Sequence, residues 1–224
     1  LKDEVDFMAK EFNHKVRLVP PDELKSEIGS NIYHGGLLDE VSGGLNPAQF
    51  VAGLAGAAEK AGAMLCARAR VNRLSRGENR FVIETERGSL TAETVFVATS
   101  GYTGNVTKKL QRKIIPIGSF IIATERLSDE LARELSPKNR MIFDYKHYLN
   151  YFRLWDNRMI FGGRAAFFPE TSKTIERSAE ILRREMISVY PQLKDVKVDY
   201  AWGGTLDFAF DQMTHVGELD GVHY

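Results

Sequence analysis

The chain has 224 residues, with 30 lysines and arginines against 30 aspartates and glutamates and a hydrophobic content of 43%. A net charge of zero gives no field to draw nucleic acid or an anionic membrane, and no apolar run approaches the ~20 residues that span a bilayer. A single cysteine, Cys66, excludes an internal disulfide and a cysteine-built zinc site, so a cytoplasmic setting is expected.

The length suits one large domain or two smaller ones. The opening residues carry neither an initiator methionine nor a signal peptide, which reads as the start of an excised piece. Val5, Met8 and Phe12 fall at helical spacing. Pro20-Pro21-Asp22 starts a second short helix through Leu24 and Ile28, stopped by Gly29, and residues 31–38 read as a short strand. Asn46 at an N-cap and Pro47 at the first helical position open a helix with Val51, Leu54, Ala55 and Ala58 on one stripe. Its alanines and glycines predict close packing against a sheet.

Residues 64–67 and 71–74 read as a strand, a kink and a second strand. Gly77-Glu78-Asn79 turns into a strand over 81–85, and Arg87-Gly88 turns again. Residues 94–99 form a short unbroken apolar run, which predicts a strand buried on both faces of a helix-covered parallel sheet. It ends in Thr99-Ser100-Gly101, small residues where a backbone can approach a ligand closely. Lys108, Lys109, Arg112 and Lys113 make a basic patch of the kind that is usually a solvated face. A strand over 114–125 is interrupted by Pro116 and Gly118, and Ser128 caps a helix containing Leu131 and Leu135.

Residues 144–163 read as a β-hairpin turning at Trp155-Asp156-Asn157-Arg158. Alternation places His147, Leu149, Tyr151 and Arg153 on one face and Tyr148, Asn150, Phe152 and Leu154 on the other. A tyrosine beside an arginine can stack on a flat ring and hold an anion at once. An edge hairpin with a solvated arginine is the plainer reading of the same pattern. Ile175, Ala179, Leu182, Met186 and Val189 then make an amphipathic stripe, and strand residues 196–200 lead to Trp202-Gly203-Gly204. There is no Walker A loop, HExxH, GxSxG or CxxC, no GxGxxG after a strand, and no metal-ligand spacing among the five histidines.

The order of the pieces carries a resemblance. Gly43-Gly44-Leu45-Asn46-Pro47, Val71-Asn72-Arg73-Leu74, Ser100-Gly101-Tyr102, Leu149-Asn150-Tyr151-Phe152-Arg153-Leu154, Phe161-Gly162-Gly163, Tyr190-Pro191-Gln192-Leu193 and Tyr200-Ala201-Trp202-Gly203-Gly204 follow one another at a specific spacing. Together they resemble the FAD-dependent amine and amino-acid oxidases of the D-amino-acid oxidase (DAO) family, over residues 20–224.

The resemblance implies an α/β (α+β) fold. Residues 41–106 and 206–224 would form part of an FAD/NAD(P)-binding Rossmann-like lobe. Residues 1–40 and 107–205 would form a substrate lobe, a mostly antiparallel sheet covered by helices. It implies FAD contacts at Val71, Thr99, Ser100 and Gly101, catalytic roles for Tyr151 and Arg153, and substrate contacts at Tyr148 and Trp202. The implied reaction is oxidation of a C–N bond in a small amine or amino acid, hydride passing to the flavin and the imine being hydrolysed. Two departures stand out. The N-terminal GxGxxG and the C-terminal segment that close on the flavin are absent, and Leu206 and Asp207 stand near where some relatives carry a carboxylate-binding arginine. The chain alone is therefore expected neither to retain FAD nor to turn over, and to self-associate. A flavin dehydrogenase acting on another substrate class and a flavin-free, non-catalytic module are the alternatives.

Overall fold

The computed structural model describes residues 1–146, 149–167 and 171–224. In chain order, α1 (Lys2–Phe12) leads to β1 (Arg17–Val19), a 3-10 turn at Leu24–Ser26, β2 (Gly36–Leu38) and α2 (Pro47–Lys60). Next come β3 (Val71–Arg76), β4 (Phe81–Thr85), β5 (Gly88–Ala92), α3 (Lys108–Gln111), β6 (Ile114–Thr124), α4 (Asp129–Leu135) and β7 (Ile142–Phe143). The chain finishes with β8 (Tyr151–Trp155), β9 (Arg158–Ala166), α5 (Ser172–Val189), β10 (Val198–Ala209), β11 (Glu218–Leu219) and β12 (Val222–His223). Contacts divide it into two units, Leu1–Gly44 with Gly118–Gly204, and Leu45–Ile117 with Thr205–Tyr224. No helix among the described residues is long and apolar enough to cross a membrane.

The first unit is built on a five-stranded sheet in the order β10-β6-β9-β8-β7. The pairs β6–β9, β9–β8 and β8–β7 are antiparallel. Asp156 and Asn157 turn the β8–β9 hairpin with φ of 52° and 54°, the doubly left-handed geometry that matches strand twist and that Asx residues tolerate. One face of the sheet is the core. Ile122, Phe152, Met159 and Phe161 lie against Leu182, Met186, Val189, Tyr190 and Leu193, all buried. The Phe152 and Phe161 rings stack at 5.2 Å, and Tyr190 meets Phe152 edge-on at 5.6 Å. Each such side chain contributes about 1.5–3 kcal/mol by leaving water, which is why α5 holds its place. The helix starts cleanly because Thr171 and Thr174 form a capping box. Ser128 Oγ accepts from Leu131 N–H at 3.2 Å and caps α4 as the sequence predicts.

The second unit carries an antiparallel β3-β4-β5 sheet and a β11–β12 hairpin. Here several expectations fail. Residues 94–99 are not a buried strand: Phe96 is 62% exposed, and the segment makes one parallel bridge, Phe96 to His223. The helix α2 begins as predicted, Asn46 Oδ1 accepting from Ala48 and Gln49 N–H, but it buries no residue. Nothing lies within 4 Å of where a side chain at Gly53 or Gly56 would stand. Both segments have an apolar pattern, but neither contributes a buried residue. Residues 64–67 form no strand. The β5 strand went unforeseen because Gly-Ser-Leu-Thr-Ala has no apolar alternation; it is held by backbone pairing to β4. Conversely, β6 runs unbroken through Pro116 and Gly118, its pairing with β9 starting at Gly118.

Candidate functional site

The face of the first unit's sheet opposite Phe152 and Phe161 is uncovered by its helices, and register decides what stands on it. Tyr151 pairs with Gly162 and Gly162 with Ile121; Arg153 pairs with Ile160 and Ile160 with Ala123. Cross-strand partners point the same way, so these six residues share the open face. Tyr151 and Arg153, expected together from alternation, are brought together.

Glycine at 162 lets the tyrosine lie down. A methyl there would stand 2.1 Å from Tyr151 Cε2 and 2.5 Å from its Cζ, so the ring crosses the Gly162 backbone. The ring's far end is fixed as well, since Tyr151 Oη is 2.7 Å from Ser119 Oγ. The chain entering β8 is pinned by a buried pair: Asn150 N–H donates to Asp144 Oδ1 at 2.8 Å and Asp144 N–H to the Asn150 carbonyl at 2.9 Å. Burial, and then the Asp144 carboxylate, push the neighbouring Tyr33 phenol far up, so it stays protonated. Tyr151 is thereby held at its start, its ring and its hydroxyl.

Arg153 is half-buried, with Nη1 3.9 Å from the Met141 sulfur. That sulfur packs over Gly44, where a methyl would come within 1.8 Å of it. Among the described residues no carboxylate pairs with Arg153. Its neighbour on the face is different. Arg158 donates from Nη1 to Asp199 Oδ2 and to the Thr124 carbonyl, both at 2.5 Å, and lies over the Tyr200 ring at 5.2 Å. The Asp199 hydrogen bond raises its pKa further above the usual guanidinium value. Arg158 and Tyr200, with Ala123, Ile160, Trp155, Asp156 and Trp202, line an open depression of about 380 Å³. Trp202, expected at a substrate, thus lines this depression. Tyr148 and His147 lie outside the described residues.

The four residues expected at a cofactor lie in the second unit. Val71 opens β3, paired with Thr85 just before a bulge. Thr99 Oγ1 is 2.6 Å from Thr103 Oγ1, and Ser100 Oγ donates to Asp207 Oδ1 at 2.7 Å. Gly101 passes so close to β10 that a methyl would stand 2.5 Å from the Thr205 carbonyl oxygen. Its smallness thus serves the protein's own packing, and the two hydroxyls are already engaged. Backbone groups and the Val71 side chain are what this stretch leaves for a ligand. The first unit's open sheet face offers a flat apolar floor, a recumbent tyrosine and a guanidinium with no carboxylate partner among the described residues.

Ser119, Gly162, Tyr200, Trp155 and Arg158 were not expected as site residues from the sequence. The Gly162-Gly163 pair inside a strand was the available signal, since strand glycines mark close approaches. Ser119 carries none; only the β6–β9–β8 order brings it to Tyr151.

The whole chain, residues 1–224, matches the profile of the family described as FAD dependent oxidoreductase (DAO). It is 33% identical over 215 residues to "Gamma-glutamylputrescine oxidoreductase" of Escherichia coli (strain K12), covering 95% of this chain and 50% of that protein. It is 36% identical over 199 residues to "Probable oxidoreductase OrdL" of Rhizobium meliloti (strain 1021), covering 88% and 45%. The chain thus spans about half the length of the curated relatives it matches. In fold it is similar to glycine oxidase from Geobacillus kaustophilus, with a TM-score of 0.82 at 16% identity over 99% of this chain and 60% of that one. L-proline dehydrogenase from P.horikoshii gives 0.77 at 17%, covering 99% and 62%.

Proposed function

The chain belongs to the FAD dependent oxidoreductase family (DAO), and from that premise we propose that it forms the middle of an enzyme oxidising the C–N bond of an amine or amino acid. The observation that carries this is the open sheet face, with Tyr151 pinned flat on Gly162 and Arg153 free of any carboxylate among the described residues. The first unit acts as the substrate lobe. The second supplies part of the FAD-binding lobe, through Val71 and the backbone of Thr99, Ser100 and Gly101. When bound, FAD supplies the two-electron acceptor that takes hydride from the carbon beside the amine nitrogen.

The chain's own residues bind and orient. Arg153 holds a substrate carboxylate through paired N–H donors. Tyr151 gives an aromatic wall and a hydroxyl fixed by Ser119, and Trp202 extends that wall. The apolar floor of Ile121 and Ile160 keeps water from the reacting carbon. The imine released is hydrolysed by water to a carbonyl compound and an amine or ammonia. The names of the relatives, which concern a gamma-glutamyl diamine, glycine and proline, support this substrate class. A cytoplasmic setting belongs to the same proposal. So does self-association of this chain, supported by the exposed Phe50, Val51, Leu54 and Phe96.

Arg153→Ala in the full-length protein tests it. A charged hydrogen-bonded pair is worth about 1.5–3 kcal/mol, so the apparent substrate constant rises roughly ten- to a hundredfold while the limiting rate of flavin reduction falls less. An unchanged substrate constant would leave Arg153 as surface decoration and remove the reading's main support.

A further inference from the structure

We propose that the depression beside Arg153 is a subsite for the apolar tail of the substrate, so that the molecule recognised carries a carboxylate at Arg153 and an alkyl or aryl group lodged among Trp155, Tyr200 and Trp202. This rests on the reading of the sheet face as a substrate wall and adds what kind of substrate the wall selects.

Three observations carry it. The first is adjacency. Ile160 and Ala123, the floor of the depression, are the cross-strand partners in line with Arg153. Arg153 and Ile160 are direct partners on neighbouring strands, whose backbones run about 4.8 Å apart, so a single small molecule can touch both side chains.

The second is charge. Inside the depression each ionised group already has its partner: Arg158 with Asp199, and Asp156 with Arg126. The Arg158 guanidinium is further occupied by the Thr124 carbonyl and the Tyr200 face. The depression is therefore electrically balanced, and a charged substrate group entering it would have to break an existing pair. Arg153, one strand away, has no carboxylate partner among the described residues. An anion goes to Arg153 and an uncharged group goes to the depression. The reverse arrangement leaves a guanidinium unpaired against an apolar tail.

The third is the wall. Trp155, Tyr200 and Trp202 are 42%, 58% and 41% exposed, although bulky aromatics ordinarily bury most of their surface. Three of them around one apolar floor form a site where an apolar group loses water on several sides. The two tryptophans come from separate places, the tip of β8 and the middle of β10, so local sequence does not explain their meeting.

The test is a binding panel on the full-length, flavin-loaded protein, read by tryptophan fluorescence and by perturbation of the flavin bands, with no turnover required. The probes are 3-phenylpropanoate (acid and tail), propanoate (acid alone) and 3-phenylpropan-1-ol (tail alone). A single methylene in an apolar pocket is worth tenfold or more, so 3-phenylpropanoate binds at least about tenfold tighter than either partial probe. In Trp202→Ala and Trp155→Ala the preference for 3-phenylpropanoate over propanoate falls at least about tenfold. In Arg153→Ala the preference for the acid over the alcohol falls instead. Thermal melting of each variant separates local loss from unfolding, and Trp155, at a hairpin tip, is the substitution the fold absorbs more easily. Equal affinity for propanoate and 3-phenylpropanoate, or a preference that survives both tryptophan substitutions, overturns the subsite. Anaerobic addition of phenylalanine, as either enantiomer, and of phenethylamine then reports on the underlying reading. Flavin bleaching without a tail preference defeats the subsite alone. Tail-selective binding, with no amine or amino acid able to bleach the flavin, supports the subsite and defeats the reading of the reaction.

Discussion

Gly162→Ala probes the device that presents Tyr151. The added methyl would lie 2.1, 2.5 and 2.8 Å from three atoms of the tyrosine ring, all inside contact distance, so the ring must leave. Overpacking of this kind costs about 1–3 kcal/mol, and lifting the ring also breaks its bond to Ser119, about 1 kcal/mol more. Alanine in a strand interior returns roughly 0.5–1 kcal/mol over glycine, leaving a net loss of about 1–3 kcal/mol. Chemical denaturation of wild type, Gly162→Ala, Tyr151→Ala and the double variant isolates the clash. Once the ring is gone the methyl has little left to strike, so Gly162→Ala is nearly neutral or mildly stabilising in the Tyr151→Ala background. The same loss in both backgrounds would rule out the clash, because the cost would then come from the backbone and not from Tyr151.

Other consequences are more local. Burial opposes ionisation of Glu27, yet hydrogen bonds from Lys138 at 2.6 Å and Arg140 at 3.0 Å outweigh it and hold the carboxyl below its ordinary value of 4.5. Stability from this group is therefore complete above about pH 4.5 and is lost as pH falls through the lower folded value. A urea midpoint measured against pH drops in that window, and the drop shrinks in Glu27→Gln, which itself costs on the order of 2 kcal/mol after allowing for its half-exposed partners. Gly101→Ala meets backbone at the Thr205 carbonyl, which cannot swing aside, so it lowers the melting temperature of the second unit while Ser100→Ala does so less. The 224-residue chain purified alone is colourless and sediments as more than a monomer, since the Thr99 and Ser100 hydroxyls are already engaged and α2 is bare. A yellow preparation releasing flavin in near-equal molar amount would contradict that.

The first unit could be read from sequence because its signals were closed within it. The stripe Leu182, Met186 and Val189 found the Phe152–Phe161 face, and Asp156-Asn157 supplied the turn chemistry the hairpin needs. The apolar runs at 94–99 and in α2 were just as clear, but a pattern records that a face is apolar and not what lies on it. Among the described residues neither is buried. The site was half visible for the same reason. Strand alternation put Tyr151 with Arg153, whereas the Ser119 bond and the meeting of Trp155 with Trp202 depend on strand order, which no local spacing encodes.

Anaerobic titration of the full-length protein with primary amines, secondary amines and amino acids, followed in the flavin absorbance bands, decides whether it oxidises a C–N bond. Members of this set bleach the bands, and Arg153→Ala needs at least about tenfold more of a carboxylate-bearing substrate to reach half the limiting rate. Flavin bands that stay unbleached by every amine and amino acid, in a protein whose flavin dithionite reduces normally, would contradict C–N oxidation.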